Sequence, residues 1–185
     1  MTALSPGASQ TTRRSEVARL NDRIGAALRK LDAVGKEAEH ERRSRLTEAA
    51  DPEPLIRTLR RLRSDLIIIA RTAAEPMAEP CRKPLEASLA EITAATGSFF
   101  RATGEALASG RDPPAPTAVF GAFDGYAAAM AELRRSGLTQ ALPGEEAGRI
   151  FALGFALDQL RGHVQDLMSR AGELADGGGT KKENA

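Results

Sequence analysis

Apolar residues recur at helical spacing along most of this chain, and proline and glycine cut the recurrence into five stretches. The clearest begins inside Leu138 to Leu160, LTQALPGEEAGRIFALGFALDQL. Pro143 stops what precedes it, and Gly144, Glu145 and Glu146 set a permissive residue and two carboxylates at the positive end of a helix dipole. From there Ile150, Leu153, Leu157, Leu160, Val164, Leu167, Ala171 and Leu174 alternate steps of three and four, one apolar stripe close to the 3.5-residue repeat of a bundle seam. Phe151 and Phe155 lie four apart beside the stripe and are expected to widen the buried face.

The other four stretches follow the same logic. A first helix is expected from about Ser15, a candidate cap, to Leu46, with Val17, Leu20, Ile24, Leu28, Leu31 and Val34 on one face. Past Val34 its stripe fades into KEAEHERRSR, a solvated half. Asp51 to Pro54 form a break that also starts the second helix, where Leu55, Leu59, Leu62, Leu66 and Ile69 repeat. Pro76, Pro80 and Pro84 interrupt again, after which Leu85, Leu89, Ile92, Phe99, Ala106 and Leu107 carry a third helix to a stop at Gly110. RDPPAP at 111–116 reads as a stiff connector. Val119, Phe123, Tyr126, Met130 and Leu133 make the fourth helix, ending at Gly137.

No segment alternates with period two, and no repeat recurs at a fixed period of roughly twenty to fifty residues. The expected fold is all-α, an antiparallel helical bundle of about five helices with disordered termini. The pattern places a disordered tail at 1–14, a single helical domain at 15–175 and a second tail at 176–185. Within that domain the first helix, 15–46, is free to project from a bundle spanning 54–174.

Composition narrows the picture. At 185 residues, with 42% hydrophobic and 28% charged residues, the chain suits one globular domain with a real core. Six Phe, one Tyr and no Trp leave that core to Leu, Ile, Val and Ala. A formal charge of +1 argues against nucleic-acid binding driven by bulk charge. One cysteine excludes an internal disulfide and a Cys-rich zinc site, and fits a reducing compartment. The first twenty residues hold no apolar stretch of the length a secretory signal needs, and the longest apolar run, Leu66 to Ala70, is far short of the ~20 residues of a membrane span. Arginine outnumbers lysine and alanine abounds, a composition of GC-rich bacterial genomes.

Candidate chemistry is sparse. His40 sits in a charged run and His163 beside the fifth stripe, neither with the convergent partners of a metal site. HExxH, Walker, GxGxxG and GxSxG patterns are absent, so no catalytic residue, metal or cofactor is expected. Cys81, between Pro80 and Arg82 at a helix start, has the setting of a lowered thiol pKa, but a lone unpaired thiol is much more often inert. The strongest charged feature is Arg57, Arg60, Arg61 and Arg63. Arg57, Arg60 and Arg61 share a helix face, where guanidinium forks suit a carboxylate, a phosphate or anionic headgroups, or pair with local acids such as Glu53 and Asp65. Asp65, four residues after Arg61, is expected in an ion pair with it at the core rim. Gly154, within FALGFAL, either admits a close neighbouring backbone or is merely tolerated, at a cost of about 1 kcal/mol relative to Ala.

Two segments, Pro54 to Ala74 (PLIRTLRRLRSDLIIIARTAA) and Leu138 to Leu160, resemble the soluble helical part of fusaric acid resistance (FUSC) family proteins, which are related to bacterial aromatic acid exporters. The similarity extends loosely over Ser15 to Leu174. The resemblance implies a non-catalytic domain of an efflux system, on the cytoplasmic side of the bacterial inner membrane, partnered with a membrane transporter subunit and in peripheral contact with the bilayer. Family members carry transmembrane helices and this chain has no segment that could be one, so the resemblance implies a detached soluble domain, the product of a split or truncated gene, or a separate partner that docks onto a membrane component, rather than a transporter. The alternative is a freestanding helical interaction or scaffold module that forms homo-oligomers through its first helix.

Overall fold

Five helices in an up-down-up-down-up order account for the described residues of the computed structural model, which are 6–45, 51–74 and 77–179. They are α1 (Pro6–Arg45), α2 (Glu53–Thr72), α3 (Glu79–Ala108), α4 (Thr117–Arg135) and α5 (Gly144–Gly179). No strand occurs among those residues, so the all-α expectation holds.

The breaks are made by the residues that announced them. Pro52 precedes α2 and the Asp51 carboxylate accepts the Glu53 N–H at 3.0 Å, satisfying a donor the first turn would leave unpaired. Gly110 closes α3 at φ +60°, letting the Arg111 N–H reach back to the Ala106 carbonyl at 2.9 Å and the Gly110 N–H to Leu107 at 3.2 Å. That pair of backward bonds is a Schellman stop. Gly137, at φ +73°, ends α4 in the same conformational region.

α2 and α5 form one closely packed antiparallel pair and α3 and α4 another. The first is fixed by Asp65 with His163 and Arg61 with Asp166, the second pair joining the first through α3 and α4 on α5. Between them one core gathers Leu62, Leu85, Ile92, Phe99, Val119, Phe123, Met130, Leu133 and the α5 stripe from Ile150 to Leu167. Burying each such side chain contributes about 1.5–3 kcal/mol, the term that offsets the entropy of ordering five helices.

Several expectations change. α1 begins at Pro6, so 6–14 belong to a helix rather than a tail, and Ser15 lies inside it with Oγ bonded to the Thr12 carbonyl at 2.8 Å. α5 runs on to Gly179. Pro84 sits within α3 instead of before it: at the sixth helical position it removes one bond close to a terminus whose first donors are unpaired anyway, and its ring faces solvent. The expected tails at 1–5 and 180–185, and the Pro76 break, lie outside the described residues.

Phe151 and Phe155 are not core. They are 47% and 65% exposed, because α5 turns the Leu153, Leu157 and Leu160 side inward and leaves no neighbour over the flank. Arg134 instead lies over the Phe151 ring, 5.5 Å from its centroid. Gly154 admits no close backbone: a Cβ there would meet the Tyr126 Oη at an ordinary 3.8 Å. The tight glycines are on α1, where a Cβ at Gly35 would come within 2.9 Å of Ile56 Cδ1 and one at Gly25 within 3.4 Å of Arg63 Nη2. These two let α1 lie against α2.

Candidate functional site

α1 touches α2 and no other described helix. Its contact face is Gly25, Leu28, Asp32 and Gly35: Leu28 is buried, Asp32 pairs with Arg60 at 2.5 Å, and the two glycines meet Arg63 and Ile56. Contacts 35 to 56, 32 to 60 and 25 to 63 run in opposite directions, so the pair is antiparallel. Leu28 thereby parts from the other residues of the expected α1 face. Val17, Leu20, Ile24, Leu31 and Val34 point elsewhere and are 39–55% exposed. At steps of three, four, seven and three they form the longest exposed row of large aliphatic side chains in the described chain, and it flanks the α2 contact without being covered by it.

Each arginine of the expected anion site has an acid in reach. Arg57 lies 3.9 Å from Glu53, Arg60 3.5 Å from Glu53 as well as 2.5 Å from Asp32, and Arg61 4.0 Å from Asp166. The helix therefore does not converge the three on a single point. Arg60 ties α1 to α2, Arg61 ties α2 to α5, and Arg57 stays on its own helix. Arg63 is half-buried under Gly25 with its Nε unpartnered, as is the neighbouring interface acceptor Asn21 Oδ1.

Asp65 does not pair with Arg61. It is buried and its Oδ2 lies 2.5 Å from His163 Nδ1 on α5. The geometry follows from register: Asp65 is three residues past buried Leu62, hence on the inward face of α2, whereas Arg61 points toward the rim. His163 adjoins fully buried Val164. Sequence reasoning missed this pair. Its signal was that each member sits on or beside its helix's apolar stripe.

Cys81 is fully buried, and burial first, then the Glu146 carboxylate, push its thiol above the ordinary value. This agrees with the inert thiol that a lone unpaired cysteine more often is, and the lowering that a helix start and Arg82 could give does not arise: Arg82 is drawn off by Glu79 at 2.5 Å and Glu86 at 3.4 Å. Glu146, in the first turn of α5, accepts the Ala78 N–H at the start of α3.

A cleft of about 290 Å³ opens where the end of α2 meets the starts of α3 and α5. Met77, Leu89, Ile150 and Leu153 make its floor, with Arg82 and Arg149 at the rim. Arg149 is paired with Glu145 at 3.5 Å. The cleft holds no nucleophile with a base beside it, and among the described residues no three His, Cys, Asp or Glu side chains converge as metal ligands. No described helix is long and apolar enough to cross a membrane.

No family model matches this chain, and neither a curated protein nor a solved structure does.

Proposed function

We propose that this chain is a non-catalytic helical interaction module whose α1 is its docking arm. The observation that carries the reading is the uncovered row Val17, Leu20, Ile24, Leu31 and Val34 on a helix held by one neighbour. Five large aliphatic side chains at seam spacing favour a helical counterpart, because such a row sheds its water only against another ridge of side chains. The rest of the chain serves as a rigid mount. Its polar groups are engaged in holding helices together: Asp65 with His163, Arg60 with Asp32, Glu146 with the start of α3.

A photoreactive residue in place of Ile24, in the full chain in its native cell, tests this. Cross-links to a defined macromolecule at position 24, and none from the same probe in place of Asp22 on the polar side, are expected. A folded chain that cross-links to nothing from either position overturns the reading.

A second reading places the module beside a membrane transporter of the fusaric acid resistance type, at the inner face of the bacterial inner membrane. Its basis is the resemblance of the segments Pro54 to Ala74 and Leu138 to Leu160, which fall on α2 and α5. On this reading the partner is a membrane subunit, and Arg57, Arg60 and Arg61 meet anionic headgroups by exchanging Glu53, Asp32 and Asp166 for phosphate. Co-purification with a membrane subunit encoded beside it supports the reading, and a gene neighbourhood without a membrane transporter counts against it. Charge reversal at Arg57 and Arg61 is expected to release the chain from anionic vesicles; unchanged vesicle binding returns the arginines to structural pairing.

A further inference from the structure

We infer that the occupant of the α1 row is the α1 of a second copy, lying antiparallel. This deepens the docking reading and rests on it.

The row has the order of a two-helix seam. Val17, Leu20, Ile24, Ala27, Leu31 and Val34 step by three, four, three, four and three, the spacing of the two core positions in successive heptads. The α2 contact, through Gly25, Leu28, Asp32 and Gly35, uses the adjacent face, about 100° away around the helix. A partner helix on the seam therefore does not displace α2.

Charge along α1 selects the direction. Residues 14–30 hold five basic side chains, Arg14, Arg19, Arg23, Arg29 and Lys30, against Glu16 and Asp22, a net +3. Residues 31–41 hold Asp32, Glu37, Glu39 and Glu41 against Lys36, a net −3, and Arg42, Arg43 and Arg45 follow in the same helix and bring 31–45 to zero. A parallel pair sets basic on basic and acidic on acidic. An antiparallel pair lays each basic stretch along the other copy's acidic one, so one sequence supplies both complementary halves. Overlapping those stretches sets Ile24 opposite the partner's Val34, Ala27 opposite the partner's Leu31 and Leu20 opposite the partner's Ala38. Leu20 and Leu31 then face alanines while Ile24 and Val34 face each other, on both sides of a two-fold near residue 29, and Arg23 flanks the partner's Glu37. Lys30 meets the partner's Lys30 at the exposed flank of that axis, where like charges in water cost little.

The test is association of the full chain. Sedimentation equilibrium is expected to show a concentration-dependent dimer, abolished by Ile24→Asp with Leu31→Asp while far-UV helicity is retained. Arg23→Glu and Glu37→Arg are each expected to weaken the dimer about tenfold, and together to restore it. Direction is read by oxidation in a Cys81→Ala background. Lys30→Cys should cross-link to itself, Arg23→Cys alone should not, and Arg23→Cys mixed with Glu37→Cys should give the mixed dimer. Self-cross-linking of Arg23→Cys overturns the antiparallel order. A monomer at the highest soluble concentration overturns the second copy as occupant. In that case cross-links from position 24 to a different protein or to lipid keep the docking reading alive, and their absence removes both.

Discussion

His163 Nδ1 on α5 stands 2.5 Å from Asp65 Oδ2 on α2, with the carboxylate side chain 7% exposed and the imidazole 18%. This polar contact ties together the most closely packed pair of helices, and it also fixes their register. A slip of α2 by one residue would carry Asp65 off the inward face and bury an unmatched group in its place. The ion pair between the same helices, Arg61 to Asp166, spans 4.0 Å at exposed positions.

Because Asp65 is buried and His163 half-buried against it, removing one leaves the second without compensation. Asp65→Ala is expected to cost about 3 kcal/mol in chemical denaturation, and His163→Ala a similar amount. Asp65→Leu with His163→Leu should lose much less than the sum of the single changes, since neither orphan remains. Additivity of the two single losses would show that the contact contributes nothing as a pair.

Tyr126 buries its hydroxyl with no hydrogen-bond partner among the described residues, and burial foremost, with the Asp158 carboxylate second and Arg134 opposing, pushes its phenol up to about 12. The folded state thus holds the proton more tightly than the unfolded one. Stability from this group is complete below the ordinary phenol pKa of about 10 and is lost as pH climbs from there toward 12. As this is the only tyrosine and there is no Trp, absorbance near 295 nm follows it alone. Titration at the free-tyrosine value in the folded chain would contradict the burial. At neutral pH, Tyr126→Phe should be neutral or stabilise by about 1 kcal/mol, because the lost hydroxyl bonds nothing.

The two α5 aromatics and their neighbour Leu153 separate in the opposite order from their hydrophobicity. Phe155→Ser, at a 65% exposed site, should move thermal stability by no more than about 0.5 kcal/mol. Phe151→Ser forfeits the Arg134 contact and should lose about 0.5–1 kcal/mol. Leu153→Ser, in the core, should cost at least about 3 kcal/mol. Comparable losses at Leu153 and Phe155 would mean that the outer flank of α5 is covered after all.

These residues also mark how far the sequence could be read. Helix number, the stops at Gly110 and Gly137 and the α5 stripe were legible because each depends on neighbours within a turn or two, where spacing and backbone freedom decide. What failed depended on helices distant in sequence. Periodicity says that a face is apolar, but Phe151 and Phe155 stay exposed because no other helix packs along their side of α5, only the Arg134 side chain of α4 reaching Phe151, and Leu28 parts from the rest of the α1 row because α2 takes only one edge of it. Asp65 was read through its nearest arginine on the same helix, whereas its partner lies 98 residues away. The Arg57, Arg60 and Arg61 face was visible as a pattern, yet the acids that engage Arg60 and Arg61 come from α1 and α5 as well as from α2.

Gly35 offers a way to release α1 without unfolding the rest. Its missing Cβ would fall 2.9 Å from Ile56 Cδ1, the far end of a side chain that can rotate aside. Gly35→Ala should therefore be neutral or mildly stabilising, since the helix gains about 1 kcal/mol of propensity against a small shift of Ile56. Gly35→Leu has no such escape, because its branch must occupy the space where α2 lies. As α1 touches α2 alone, the cost stays local. Hydrogen exchange of the Leu variant should show lost protection across 14–40 and unchanged protection in α3, α4 and α5, with Ile56→Ala restoring part of it. If Gly35→Leu instead loosened α3 and α4 together with α1, the first helix would belong to the cooperative core rather than stand as an arm on it.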